Sequence, residues 1–428
     1  MANAQRNLGF MYYRGLGAPE NKGEAIRWWR KAAEKGDAKS QFSLGLMYES
    51  GIAVPSEKST AFNWYQKAAD QGLAQAQTSL GQMYYDGEGV AQDISAAVTW
   101  WHKAAEQSDV EAQRNLGSMY YVGDGVIEDK NKALTWFRKA ADLGDAIAQY
   151  NLGLFYDQGI ILGQDKTAAA DWFRKAAEQG YAKAQFYMGR MHRSGIGVSL
   201  DNAAAVYWYR KAADQGLVEA QYNLGWMLAH GSGVMRDVAA AADWYLKAAD
   251  QGDAKAQYNL GLLYANGIGV RQDKAAAAKW WRKAADQGLA EAAYNLGLVY
   301  ASGDGAMKDL AAAAKWYLKA ANQGDANAQY NLGMSYIKGD GVMQDKAAAA
   351  KWWRKAADQG VDEAAYNLGV MYASGDGVAQ DFVQAYKWYT LSAAAGNESG
   401  IKKRDIIEPK MTAKQLAEAR RQAATLRE

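Results

Sequence analysis

Apolar side chains recur at helical spacing in two short runs, and the pair of runs returns every 36 residues. In the stretch Ala254–Leu289, Ala256, Leu260, Leu263 and Tyr264 fall on one face of a first helix. Ala277, Trp280, Trp281, Ala284 and Ala285 follow the i, i+3, i+4, i+7, i+8 template of a second helix. Between them, Gly267 is placed for a left-handed cap, Gly269 for a tight turn and Asp273 for the N-cap of the second helix. Gly288 closes the unit.

The unit recurs without insertion. The Gly of the phrase Asn-Leu-Gly runs from Gly9 through Gly45 and Gly81 to Gly369, and a Trp in one register runs from Trp28 to Trp388. Eleven units therefore hold eleven of the 16 Trp. Trp29, Trp101, Trp281 and Trp353 stand directly after their column residues, and Trp226 stands alone. The column is expected to be core, with small Ala interlocking against large Trp. A Gly inside a helix costs ~1 kcal/mol against Ala, so the recurring Gly261 position implies a neighbouring side that a Cβ would block. A helical pair this small cannot bury its apolar face alone, so the pairs must stack. The expected fold is all-α: one continuous solenoid rather than three domains.

Composition narrows the chemistry. Across 428 residues, 49 Lys and Arg against 47 Asp and Glu leave a net charge of +2, which argues against nucleic acid or an anionic membrane as main partner. With no Cys and three His, disulfides, thiolate clusters and a cysteine nucleophile are excluded and His-based metal sites are disfavoured. No stretch approaches the ~20 apolar residues of a membrane span, and no signal peptide is recognisable at Met1. The turn Gly87-Glu88-Gly89 through Asp93 lacks the ligand spacing of a calcium loop, and no turn has the ending of a phosphate loop. There is no Gly-x-Ser-x-Gly elbow and no His-Glu-x-x-His; no cofactor is expected and the protein is read as non-catalytic.

Ala-x-Ala-Gln-Tyr-Asn-Leu-Gly-x-x-Tyr, then Gly-x-Gly-Val-x-x-Asp, then Ala-x-x-Trp-Trp-x-Lys-Ala-Ala-x-x-Gly resembles the Sel-one-like repeat family, a 36-residue relative of the tetratricopeptide repeat. The resemblance covers residues 2–397 in eleven copies. It implies a right-handed α-α superhelix that serves as a protein–protein interaction scaffold or adaptor, often in bacterial envelope, signalling or host-interaction settings. A periplasmic or secreted location is therefore favoured over the cytoplasm. Some cysteine-rich members have been linked to β-lactam binding or hydrolysis, a link weakened here by the absence of Cys. Residues 398–428 look like the tail that follows such arrays. Thr412 and Gln415 form a capping-box signal for a last helix over residues 411–426, with Leu416, Ala419 and Ala423 on one face. Ala2 already occupies the first position of the first helix, so the natural chain is expected to start upstream.

By the same resemblance, the first helices line a concave groove through their positions 2, 5, 6, 9, 12 and 13. Position 6 is Asn in eight units, among them Asn223, Asn259, Asn295, Asn331 and Asn367. Position 5 is aromatic in eight units, among them Phe186 and Tyr222. Either the two ladders meet an extended peptide, the amide pairing with its backbone, or they stitch adjacent first helices together. The sixth unit departs from the pattern with Tyr187, Arg190, His192 and Arg193, and the seventh with Trp226 and His230. Trp, Tyr and Arg dominate binding hot spots, so Phe186, Tyr187, Arg190, Arg193 and Trp226 form the candidate recognition patch. Position 12 is mostly small in units seven to eleven (Ala229, Ala265, Ala301, Ile337, Ala373) but Tyr13, Glu49, Tyr85 and Tyr121 in the first four, which predicts graded binding. The expected partner is a protein or extended peptide, with cell-wall glycan as the alternative.

Overall fold

In a computed structural model, which describes residues 1–424, Asp253 opens the first helix of repeat eight (Ala254–Asn266) by accepting the Ala256 N–H at 2.6 Å. Gly267 closes it in the left-handed region at φ 67°. Gly269 has φ 73°, and a Cβ there would stand 2.6 Å from the Val238 carbonyl carbon of the preceding repeat, so the turn requires glycine twice over. Asp273 then caps the second helix (Lys274–Asp286) through the Ala276 N–H at 2.8 Å. This hairpin recurs along the chain. Among the described residues there are 24 α-helices, one short 3-10 turn and no strand.

The glycine inside each first helix is a seat for a ring. In repeat three a Cβ on Gly81 would lie 2.6 Å from Trp101 Nε1. The indole rests on the bare backbone and donates its N–H to the Thr78 carbonyl at 3.2 Å. Trp281 is seated on Gly261 in the same way and donates to the Tyr258 carbonyl at 3.2 Å. Where the second helix offers Tyr65, Phe137 or Phe173 instead, that ring covers the corresponding glycine. The blocked approach expected at this position is thus a side chain from the partner helix of the same repeat.

This seating corrects the expected core. The recurrent Trp column is only half-buried at nine of its eleven positions; Trp244 and Trp388 are the buried ones. The fully seated position is the next residue, which alternates among Trp, Tyr and Phe and is buried in every repeat. The column ring instead lies along the outer side of the second helix with the Lys three residues later over its face. Lys103 Nζ is 3.8 Å from the Trp100 ring centre, and Lys283 is 4.0 Å from that of Trp280. Such cation–π contacts contribute roughly 0.5–1 kcal/mol at exposed sites.

Neighbouring repeats are joined by a rail of amides, one buried and one exposed in each joint. Gln77 donates to the Ala69 carbonyl of the repeat before it, at 3.2 Å, and accepts from Gln107 at 2.9 Å. Gln257 repeats the arrangement with Ala249 at 3.0 Å and Gln287 at 2.9 Å. At Gln113 the rail is interrupted: Leu143 stands where the second Gln would be, and Gln113 Oε1 is buried with no hydrogen-bond donor among the described residues. A buried, unsatisfied acceptor of this kind costs about 1–3 kcal/mol.

The chain divides into two compact units, Met1–Gln215 and Gly216–Glu428. The first holds repeats one to six and the second holds repeats seven to eleven with the C-terminal segment. In that segment, Glu398–Ile407 and Ala413–Ala424 are helical, and Ile407 and Ala419 pack with Ala385, Tyr386 and Tyr389 of repeat eleven. The capping box is formed: the Thr412 N–H donates to Gln415 Oε1 at 2.9 Å, and the Gln415 N–H to Thr412 Oγ1 at 3.3 Å. Ala419 and Ala423 are buried as the spacing predicts, whereas the end of the predicted helix at 425–426 lies outside the described residues. The helix at Glu398–Ile407 was not anticipated.

Candidate partner-binding face

From repeat two onward each first helix buries its positions 3, 4, 7 and 8, such as Ala256, Gln257, Leu260 and Gly261, and thereby turns positions 2, 5, 6, 9, 12 and 13 toward the opposite face. Both ladders on that face make contacts inside the chain. The position-5 rings lean on the seated rings of their own repeats: Phe186 on Tyr209 at 5.7 Å, Tyr222 on Tyr245 at 5.9 Å and Tyr330 on Trp353 at 6.4 Å. The amides reach back one repeat. The side chain of Asn295 lies beside the Tyr258 hydroxyl, that of Asn331 beside Tyr294 and that of Asn367 beside Tyr330. Burial pushes these phenols up from their ordinary value, and the amide donors pull them partly back. Asn259 occupies the same half-buried position in repeat eight, and Asn223 donates to the Glu219 carbonyl at 2.7 Å.

The sixth-repeat group lies in the first unit. Tyr187 replaces the usual amide and fills its space with a ring, 4.8 Å from Phe173, 5.5 Å from Tyr150 and 5.9 Å from Phe186. The Arg190 guanidinium lies 4.5 Å over the Tyr187 ring and 3.8 Å from the Asp157 carboxylate, and remains half-exposed. Arg193 hydrogen-bonds the Tyr209 hydroxyl. In the second unit, Trp226 is half-buried and stacks on exposed His230 with ring centres 4.1 Å apart and planes at 21°. His230 Nδ1 donates to the Trp226 carbonyl oxygen at 2.8 Å.

Position 12 separates the two units most clearly. In the first, Tyr13 packs on Trp29 at 5.4 Å and Tyr85 on Trp101 at 5.6 Å, and the Tyr85 hydroxyl donates to Asp124 at 3.2 Å. Glu49 accepts the Tyr65 hydroxyl at 2.5 Å, and Asp157 pairs with Lys166 at 2.8 Å. In the second, Ala229, Ala265, Ala301 and Ala373 stop at Cβ. Between repeats eight and nine this leaves a cavity of about 330 Å³ lined by Ala265, Trp281, Asn295, Leu298, Lys274 and Asp304 among others. Its counterpart between repeats four and five, beside Tyr121, measures about 170 Å³.

The family model described as the Sel1 repeat matches residues 2–37 and each following window of 36 residues through 362–397. The chain belongs to the Sel1 repeat family. Sel1 repeat proteins are typically protein-interaction scaffolds, and their solenoid fold is generally non-catalytic. The crystal structure of c5321, a protective antigen present in uropathogenic Escherichia coli strains and displaying an SLR fold, is 38% identical with a TM-score of 0.88, covering 100% of this chain and 91% of its own. A Sel1 repeat protein from Oxalobacter formigenes is 38% identical with a TM-score of 0.54, over 72% of this chain and 90% of its own. No curated protein matches the chain.

Within this Sel1 array, the predicted residues fall into two sets. Phe186, Tyr187 and Arg190 form one aromatic and cationic cluster in the first unit; Arg193 is tied to the same repeat through Tyr209. Trp226 and His230 form a stacked pair in the second, and Tyr222, Asn223, Asn259, Asn295, Asn331 and Asn367 continue its first-helix face. Trp281, Leu298, Lys274 and Asp304 were missed as site residues. Small Ala265 signalled open space, but the depth of that space depends on the seated indole beneath it. The recurring Lys of the second helices lies on the Trp column, where it makes cation–π contacts on the other face of the hairpin. Among the described residues, no helix is long and apolar enough to cross a membrane.

Proposed function

We propose that the protein is a non-catalytic adaptor, of bacterial origin, that holds an extended polypeptide segment along the first-helix face. The observation that carries this reading is the change at position 12: repeats seven, eight, nine and eleven keep the helical framework while vacating side chains that repeats one, three and four fill with Tyr. Backbone groups of an extended ligand would meet the remaining valences of Asn259, Asn295, Asn331 and Asn367, since each amide offers both donors and an acceptor. Phe186, Tyr187, Arg190 and Arg193 supply a cationic and aromatic patch, and Trp226, His230, Tyr222 and Asn223 supply an uncharged aromatic one with an amide at its edge. Residues 2–397 are the binding array and 398–428 its C-terminal cap. Similar structures from Escherichia coli and Oxalobacter formigenes support the bacterial assignment.

The test is a selection of displayed random peptides on the full chain, run beside a glycan array. Recovered peptides should lose about tenfold or more in affinity for Trp226→Ala, the scale of a hot-spot residue, while its helical content and melting stay near wild type. Severe unfolding of Trp226→Ala would make that residue part of the core. Retention of glycans with no peptide would replace the polypeptide reading by the cell-wall one.

A further inference from the structure

The chain carries its own template for what fits the cavity of repeat eight. In repeat three, Tyr85 leans on the seated indole of Trp101 at 5.6 Å and 43°, and its hydroxyl donates to Asp124 in the turn of the next repeat at 3.2 Å. Five repeats later the indole is present as Trp281 and the turn carboxylate as Asp304, while the tyrosine position is Ala265. All three line one cavity of about 330 Å³. Trp101 is 1% exposed beneath its tyrosine, whereas Trp281 is 7% exposed. The residue that starts the second helix also differs. It is Ile94 in repeat three and Lys274 in repeat eight, where the ammonium pairs with Asp304. A carboxylate has several lone-pair sites, so Asp304 can keep that ion pair and accept a hydroxyl as well.

No other repeat of the second unit combines these parts. Repeat ten has the indole of Trp353 and the carboxylate of Asp376 but fills position 12 with Ile337. Repeats seven, nine and eleven seat Tyr245, Tyr317 and Tyr389 where repeat eight seats Trp281. We infer that the cavity between repeats eight and nine is a socket for a tyrosine side chain of the bound polypeptide, its ring against Trp281 and Leu298 and its hydroxyl on Asp304. This deepens the adaptor reading and rests on it. Specificity follows from the two halves of the site: the indole recognises a flat ring, and the Asp304 carboxylate accepts a hydroxyl that plain phenylalanine lacks.

The experiment is ligand-detected NMR on the full chain with N-acetyltyrosinamide, N-acetylphenylalaninamide and N-acetylleucinamide as probes. Wild type should bind them in that order of decreasing affinity. Ala265→Tyr plugs the socket from within and should weaken the tyrosine probe by about tenfold, as loss of an anchoring pocket does. Tyr already stands at this position in repeats one, three and four, so the variant's melting should be unchanged or raised. Asp304→Asn should bring the tyrosine probe down toward the phenylalanine probe and leave the latter unaffected. Equal binding of the tyrosine probe to wild type and Ala265→Tyr overturns the socket. The displayed peptides separate the two readings. Recovered peptides that lack an aromatic residue and bind Ala265→Tyr as well as wild type sink the socket and leave the adaptor standing. A tyrosine probe that discriminates the variants while no peptide is retained does the reverse.

Discussion

The crevice beside Tyr121 and the crevice beside Ala265 occupy the same place in their repeats, yet one holds about 170 Å³ and the other about 330 Å³. The helices around them have the same lengths, but the first carries Phe137 and Ile161 where the second carries Trp281 and Gly305. At position 12 one side chain separates them. Tyr121 covers its crevice and receives Lys130 on its ring at 3.7 Å, while Lys274, with no ring to lie on, turns to Asp304. A repeat framework that is fixed by ring-on-glycine seating can therefore vary its binding face one residue at a time without disturbing the hairpin.

The largest effect should come from unseating the ring. Gly81→Ala is expected to lower stability by about 3 kcal/mol, the upper range for overpacking, because Trp101 is sealed by Tyr85 and has nowhere to move. Gly261→Ala should cost visibly less, since Trp281 borders an open cavity; urea unfolding of both variants measures the gap. Equal losses would mean that the cavity gives the indole no freedom. Next, Tyr85→Ala should remove about 2 kcal/mol and open a second socket over Trp101. Placed in an Ala265→Tyr background, it should restore binding of N-acetyltyrosinamide. The smallest effect concerns the amide rail, which is formed in repeat eight at Gln257 and Gln287 but broken in repeat four at Gln113. Leu143→Gln should supply the missing donor and raise stability by about 1 kcal/mol, read as a shift of the urea midpoint.

Much of this architecture was legible in the residues. The fixed spacing of Gly9 to Gly369 announces stacked hairpins, Asp273 and Gly267 mark helix ends, and Thr412 with Gln415 marks the last helix. The core was misassigned by one position for a physical reason. A residue that recurs as Trp in every unit looks like interior, but an amphipathic helix places its half-buried edge next to its centre, and there a large ring serves as a platform for Lys. The seated position tolerates Trp, Tyr or Phe because a flat ring against a glycine is all that it demands. The approach of Asn295 to Tyr258 and of Asn331 to Tyr294 could not be read at all from one unit. They depend on how far one hairpin is offset from the next. The pocket at Trp281 needed the same information.

The glutamine rail has a consequence for how such arrays change over generations. Its joints are alike in the copies that keep both glutamines, so unequal recombination that deletes or duplicates whole units brings equivalent partners together at most new junctions. The number of hairpins is then a variable that heredity can adjust with few contacts to retool, and the reach of the molecule becomes as easy to alter as its chemistry.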